Sequence, residues 1–426
     1  MSERTYRQRL EADIARWQAD GVITTLSADK IRSTFRPLPE SITIATVVAI
    51  VGGLLIAAAF LAFVASNWTA IARPARFAVL ITGIIVAFGA GAWFDRTRRP
   101  YVADLCAAVG SIIFGSAIAL TGQMYHLGGD FAAGMLLLAL GSLIAAVLTG
   151  SRGALAVALV TACIWNHMRV IELDTVHPEF LLLWGVGAVL AVVWNAPVAR
   201  HLVALAAVVW LVSSGFALDQ TRDAEPIFAI TAGFALLFGG GIALATRGNQ
   251  PLEGFGEALG RLGETLSHYG GFAIALAVSA LIAMAGSGGT MVTAPSAVVV
   301  AAALAVILPI GAAVFDRRSG PALAAVANLL VLIVVSGTIQ RSPADDPWLF
   351  YALALAAMLC VVVSGLMDGA RPRVVAGWIG LAFVIAAITW AVQGSLLKRA
   401  VFLAAAGVVA ITVASLLGRF VRSERA

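Results

Sequence analysis

The chain has 426 residues, of which 61% are hydrophobic and only 12% are charged. This composition excludes an ordinary soluble protein and favours one that crosses the lipid bilayer many times. The formal net charge of +5 does not indicate a nucleic-acid partner, because the arginines and lysines of a membrane protein collect in its loops and set its orientation.

The segment ahead of the first apolar run is polar and predicts a short helical hairpin. Apolar side chains recur every three or four residues from Tyr6 to Trp17, and Gly21 follows as a stop signal. Ser27 is placed to cap a second helix. We therefore predict a cytoplasmic helical hairpin over residues 1–38, either as a docking module for a protein partner or packed on the protein's own loops and the membrane surface.

Fourteen apolar segments then fill the chain, each about as long as the roughly 20 residues that cross a bilayer. Only a helix satisfies its own backbone hydrogen bonds inside hydrocarbon, so we predict an all-α fold, a polytopic transmembrane helix bundle of about 14 spans. Twelve spans remain if the short fifth and sixth segments are re-entrant. The predicted spans are Ile42–Ala65, Phe77–Phe94, Leu105–Thr121, Phe131–Thr149, Ala154–Met168, Phe180–Trp194, Leu202–Leu218, Ile227–Ala245, Tyr269–Gly286, Ala297–Phe315, Ala322–Ile339, Trp348–Met367, Val374–Gln393 and Ala400–Gly418.

The distribution of basic residues supports this arrangement. With the amino terminus in the cytoplasm and the spans alternating, 21 of the 28 lysines and arginines fall in cytoplasmic segments and 7 in outer loops. Such an excess on the cytoplasmic side is the positive-inside rule. We therefore predict that both termini are cytoplasmic and that residues 419–426 form a basic cytoplasmic tail.

The longest connection, residues 246–268, carries an apolar stripe of helical period from Leu252 to Leu266. Its charged residues fall largely off that stripe, which predicts a cytoplasmic amphipathic helix lying in the membrane interface. This helix would divide the protein into a first bundle of about eight spans over residues 39–245 and a second of about six spans over residues 269–418.

Two polar loops, between spans one and two and between spans three and four, share the predicted extracytoplasmic face. One offers an amide and two guanidinium groups, and the other a carboxylate, an imidazole, a phenol and an amide. Polar groups near membrane depth are costly unless they are paired or used, so we predict a polar site with Arg73 or Arg76 as partner of Asp130. The simpler interpretation is an aromatic belt, headgroup anchors and a Gly128-Gly129 turn. The candidate residues are Asn67, Trp68, Arg73, Arg76, Gln123, Tyr125, His126 and Asp130.

Three short motifs follow one another along this part of the chain. They are the hairpin with Trp17 and Gly21, the Asn67-Trp68 pair with Arg76, and the sequence Gly122-Gln123-x-Tyr125-His126 with Asp130. In this order they resemble the bacterial membrane proteins called domain of unknown function 2157, over about residues 1–170. The resemblance implies a multi-pass protein of the bacterial cytoplasmic (inner) membrane and no established activity. It draws attention to the two loops without assigning them a role.

The sequence lacks the motifs of most catalytic and energy-coupling machinery. No Asp, Glu, Lys or Arg falls near the middle of a predicted span, where ion-coupled transporters usually keep one. No Walker loop, His-Glu-x-x-His motif or Gly-x-Ser-x-Gly elbow is present, so an enzyme is disfavoured and we predict no cofactor and no metal. The intramembrane amides of Asn166 and Asn328 favour interhelical hydrogen bonds over ligands.

Three functions fit these observations, and the lipid bilayer is the expected surroundings in each. The first is transport or handling of a lipid or small-molecule substrate, with the polar site at the extracytoplasmic face. The second is a non-catalytic membrane scaffold or regulator that binds a protein partner through the cytoplasmic hairpin. The third is a membrane-embedded transferase, which would need a loop site such as Gln123–Asp130 or Glu172–Glu179.

Overall fold

A computed structural model describes residues 3–34, 51–52, 55, 59, 72–126, 128–220, 226–247, 254–284, 294–340 and 347–391. These residues form fourteen α-helices and no strand, which confirms the all-helical prediction for this part of the chain. The helices are α1 Glu3–Ala19, α2 Thr25–Thr34, α3 Arg73–Arg96, α4 Pro100–Met124, α5 Phe131–Thr149, α6 Arg152–Leu173, α7 Phe180–Val193, α8 Pro197–Gln220, α9 Pro226–Arg247, α10 Phe255–Met284, α11 Ser296–Asp316, α12 Ser319–Gln340, α13 Trp348–Met367 and α14 Arg371–Ala391.

The predicted spans from the second to the thirteenth coincide with helices α3 to α14. Eleven helices within the described ranges are long and apolar enough to cross a bilayer. Among α3 to α14 the helix that is too short is α7, whose 14 residues extend about 21 Å, less than the roughly 30 Å hydrocarbon core. The predicted spans Ile42–Ala65 and Ala400–Gly418 lie outside the described residues, apart from four helical positions in the first. The orientation of the termini stays a prediction.

Capping residues set the ends of the α5–α6 hairpin. Asp130 is the N-cap of α5, and its carboxylate accepts a hydrogen bond from the backbone N–H of Ala133. Helix α5 ends at Gly150, whose φ of 65° is a left-handed conformation that a residue without Cβ adopts freely. Ser151 then caps α6 by accepting from the N–H of Ala154 at 3.3 Å. Because the two helices run antiparallel, the C-terminal turns of α6 return to the level of Asp130.

The amino-terminal unit contains the two predicted helices of the hairpin, α1 and α2. Ile14 and Ala28 are fully buried, one from each helix. Gly21 has a φ of 68°, and the backbone N–H of Val22 donates to the carbonyl of Trp17 at 2.9 Å. Leu26 remains 78% exposed. The cytoplasmic location of this hairpin and a protein partner for it stay predictions.

Two main hydrophobic clusters organise the described helices from α3 onward. The first is built from α4 to α8, with Leu155 and Phe180 near its centre. The second is built from α9 to α14 and contains Phe238, Met358 and Ile388. Helix α9 packs mainly in the second cluster, and its Leu237 and Leu244 also contact the first. The division into two bundles after residue 245 stays a prediction.

Helix α10 contributes to both clusters. Its first half places Ala258, Leu262 and Leu266 in the first cluster, and its second half places Ile274 and Val278 in the second. Where we expected a separate interfacial helix over 246–268 and then a span, one continuous helix of 30 residues is present. Leu262 and Leu266 of the stripe are buried by neighbouring helices, at 4% and 5% exposed, whereas Phe255 at the start of the helix is 62% exposed.

Glycines bring α9 and α10 into backbone contact. A Cβ at Gly241 would lie 2.5 Å from the backbone nitrogen of Ser267 and 2.6 Å from the carbonyl oxygen of Gly263. A Cβ at Gly270 would lie 2.5 Å from the backbone nitrogen of Phe238. Small residues of this kind allow transmembrane helices to approach closely. Close backbone contact with α10 therefore supports α9.

Candidate functional site

The loop between α4 and α5 holds half of the sequence-predicted site residues. Gln123 lies in the last turn of α4, and Tyr125 caps that helix through its backbone N–H, which donates to Thr121 at 3.1 Å. His126 has a φ of 52°, and its Nδ1 lies 3.0 Å from the Gln123 carbonyl oxygen, to which the Nδ1–H tautomer donates. The side chains of Gln123, Tyr125 and His126 are exposed. In this structure these residues end a helix and begin a turn.

Asp130 is paired with a residue that the sequence did not single out. Its carboxylate lies 2.8 Å from the Nη2 of Arg169 on α6, and Arg169 also reaches Glu172, with Nη1 3.0 Å from the carboxylate. The N-cap hydrogen bond from Ala133 lowers the pKa of Asp130, desolvation opposes this, and the hydrogen bond and charge of Arg169 lower the pKa further. Asp130 is therefore held as a carboxylate. The partner that the structure gives to Asp130 is Arg169, and a pairing with Arg73 or Arg76 stays a prediction.

The other predicted site residues are placed only in part. Arg73 begins α3, and Arg76 lies in its first turn with a half-buried side chain. Asn67 and Trp68 lie outside the described residues. The structure therefore brings together Gln123 with His126, and Asp130 with α6. A ligand role for the two loops stays a prediction.

Arg169 and Glu172 are members of this polar group that sequence reasoning missed. The available signal was their spacing of three, which places opposite charges on one helix face at the predicted outer end of a span. That signal did not specify Asp130 as a third member, because the pairing depends on the antiparallel packing of α5 on α6. Among the described residues, no three His, Cys, Asp or Glu side chains are arranged to hold a metal ion.

A second feature is a long apolar groove with a volume of about 1290 Å³. Helix α9 forms its floor, α8 and the start of α7 form one wall, and α11 forms the other; we call it the α8–α11 groove. Its lining runs along α9 from Ala229 to Arg247 and along α11 from Ala297 to Asp316. At 1.5 Å per residue each stretch extends roughly 27 to 29 Å, close to the thickness of a hydrocarbon core. The groove therefore extends over a length comparable to the thickness of a hydrocarbon core.

Tryptophans in the wall present apolar ring surface to the groove. The indole nitrogen of Trp184 donates to the carbonyl of Val203 at 2.8 Å, and that of Trp210 donates to the carbonyl of His177 at 3.3 Å. Because each polar N–H is satisfied within the protein, the ring faces can contact hydrocarbon. The opposite wall, α11, has little of its surface buried within the described residues.

Pro309 interrupts the hydrogen bonding of α11 beside the groove. A proline has no N–H to donate to the carbonyl four residues earlier, which here is Ala305. The Nδ2 of Asn328 on α12 donates to that carbonyl at 2.7 Å and to the carbonyl of Ala235 on α9 at 3.0 Å. This confirms that Asn328 makes interhelical hydrogen bonds. One buried amide thus ties α9, α11 and α12 together below the groove.

Asn166 is different from Asn328. It is 1% exposed, and neither its amide nitrogen nor its carbonyl oxygen has a hydrogen-bond partner within the described part of the chain. The prediction of an interhelical hydrogen bond is therefore wrong for Asn166. A buried amide without partners costs free energy. Asn328 lowers this cost by donating from Nδ2 to two carbonyls, while its Oδ1 has no partner within the described residues.

The apolar spanning helices, the polar group of Asp130 and the apolar groove define a polytopic integral membrane protein. Residues 15–156 match the family model described as "Predicted membrane protein (DUF2157)", which confirms the resemblance seen in the motifs. No curated protein and no solved structure matches the chain. The matched residues include the Gln123–Asp130 loop, whereas every residue that lines the groove lies beyond them, from Val176 onward.

Proposed function

We propose that this protein handles membrane lipid by holding a lipid hydrocarbon chain in the α8–α11 groove. The observation that carries the proposal is the apolar groove itself, which runs along α9 and α11 over a length comparable to that of a hydrocarbon core. A site for a drug-sized molecule is typically a cleft of about 300–1,000 Å³ with several convergent polar groups. This groove is larger, and a long flexible chain fills such a shape better than a compact solute does.

The lining chemistry disfavours a strongly polar substrate. Along the middle of the groove the wall is formed by leucines, alanines and glycines, and the polar exceptions are hydroxyl groups. Thr246 already donates its hydroxyl to the carbonyl of Ala243 at 3.0 Å, while Ser214 has no partner in the described residues. A charged or sugar-like solute would lose its hydration without gaining partners. A hydrocarbon chain has no hydrogen bonds to water that it would lose on entering the groove.

A photo-crosslinking amino acid in the groove identifies the molecule that occupies the groove. Benzoylphenylalanine placed at Leu308, which lines the groove on α11, is compared with the same probe at Leu137 on α5, which is 55% exposed. The protein is washed extensively in detergent, so that loosely associated lipid is removed before illumination. We expect a lipid-mass adduct at position 308 and none at position 137. A crosslink from position 308 to a peptide of this chain or to a second copy would overturn the proposal.

Filling the groove provides the matched loss-of-binding test. A Cβ at Gly311 on α11 meets no heavy atom within 4 Å, and the same holds for Gly134 on α5, away from the groove. Gly311→Trp should therefore be accommodated while its indole occupies the groove, and Gly134→Trp is the control. We expect Gly311→Trp to lower the lipid retained after washing about tenfold, which corresponds to a loss of about 1.4 kcal/mol of binding. Equal retention by the two variants would contradict a lipid site in the groove.

A further inference from the structure

The charged residues of the α8–α11 groove are confined to one end. In the described part of its lining, Arg247 and Asp316 are the charged side chains, at the last residues of α9 and α11. The two helices run parallel, because Ala232 packs near Val298 in the first half of each helix and Gly239 packs against Ala305 and Pro309 further along. Continuing about eight residues along each helix from this contact places the two charges at the same level. A basic and an acidic group therefore flank one mouth of an otherwise apolar groove.

Neither charge has an ion-pair partner in the part of the chain that the structure describes. Within the described residues, Arg247 and Asp316 make no ion pair, with each other or with any other side chain. Arg247 at the C-terminal end of α9 is favourable, since a cation there complements the helix dipole. Asp316 at the C-terminal end of α11 is unfavourable for the same reason. Arg317 and Arg318 follow in sequence, but they do not line the groove.

Resting on the lipid-handling function above, we propose that the groove selects a zwitterionic phospholipid whose headgroup carries a primary ammonium. Arg247 binds the lipid phosphate, and Asp316 accepts hydrogen bonds from the ammonium, while a hydrocarbon chain lies along α8, α9 and α11. An anionic headgroup without an amine would place no cation near Asp316 and would meet like-charge repulsion there. A quaternary choline headgroup has no N–H to donate to the carboxylate.

Lipid competition tests this selectivity on the full-length protein. The protein is equilibrated in vesicles holding equal amounts of phosphatidylethanolamine, phosphatidylcholine and phosphatidylglycerol with identical chains, then washed in detergent, and the retained lipids are quantified. We expect phosphatidylethanolamine to be enriched over the other two. Asp316→Asn should lower that enrichment about tenfold, because a charge-assisted hydrogen bond is lost. Arg247→Gln should lower retention of all three, since each carries a phosphate.

Control variants separate this inference from the proposed function. Asp316→Glu should preserve the selectivity, and Arg318→Gln should leave it unchanged, because it removes a charge at the same end of α11 outside the groove lining. Retention of the three lipids in equal amounts, together with the lipid adduct at position 308, would overturn the headgroup selectivity and leave lipid binding standing. Absence of both the adduct and any retained lipid would overturn the proposed function itself.

Discussion

Two asparagines show how a single amide in a transmembrane helix depends on its partners. Asn328 donates to two carbonyls, and one of these, Ala305, has lost its helical donor to Pro309. Asn166 is equally buried, and its amide has no partner within the described residues. Sequence reasoning led to the same prediction for both positions. Pro309 leaves the Ala305 carbonyl without its helical donor, but that Asn328 lies beside this carbonyl is known only from the packing of the helices.

We predict opposite effects on stability when each asparagine is truncated. Asn328→Ala should destabilise the protein by about 1 kcal/mol, a typical scale for interhelical hydrogen bonds in membranes, because the carbonyl of Ala305 is left without a donor. Asn166→Ala removes an amide that forms no hydrogen bonds and should be neutral or stabilising. Thermal unfolding of the two purified variants in the same detergent measures the difference. The assignment fails if Asn166→Ala lowers the unfolding temperature as much as Asn328→Ala does.

At the scale of elements, α9 is in close backbone contact with α10 and, at Gly239, with α11, while another part of its surface lines the groove. Adjacent glycines face these two environments. A Cβ at Gly241 would collide with backbone atoms of α10, whereas a Cβ at Gly240 would meet only the side chain of Leu308, at 3.7 Å across the groove floor. The same residue type therefore serves close packing at one position and leaves space at the next.

This contrast predicts different outcomes for two neighbouring substitutions. Gly241→Ala should be strongly destabilising, by about 2 kcal/mol or more, because two helix backbones must separate to admit a methyl group. Gly240→Ala should be neutral or stabilising by up to about 1 kcal/mol, from the higher helix propensity of alanine. Unfolding of each variant by titration with a denaturing detergent provides the comparison. Similar destabilisation by both substitutions would show that α9 is packed equally on both faces.

The sequence predicted where the helices begin and end better than it predicted which helices pack against one another. The bounds of Phe131–Thr149 and Trp348–Met367 were obtained correctly, because apolar runs of spanning length end there in polar or glycine residues. The continuous α10 was not anticipated, since a stripe of leucines beside charged residues looks the same whether it faces head groups or other helices. The groove and the Asp130–Arg169 pair depend on which helices are adjacent, and composition rich in alanine, valine and leucine carries no such signal.

At the scale of the whole molecule, α10 connects the two main hydrophobic clusters. Its first half packs in the cluster of α4 to α8, although α10 follows α9 in the sequence. Its second half and α9 belong to the other cluster. The groove lies where these parts meet, with α8 from the first cluster on one wall and α11 on the other. Helix α10 therefore supports the groove without lining most of it.

Dividing the chain between residues 225 and 226 tests this dependence. The first fragment lacks α10, so we expect residues 1–225 to accumulate in membranes only when residues 226–426 are expressed with them. Within the second fragment, Leu262→Ala should lower recovery of the first fragment, because Leu262 is 4% exposed and packs among its helices. Leu276→Ala is the control on the same helix, since Leu276 is 56% exposed. Immunoblots of co-purified fragments give the readout. Accumulation of residues 1–225 alone, at the level reached with their partner fragment, would show that the first cluster does not require α10.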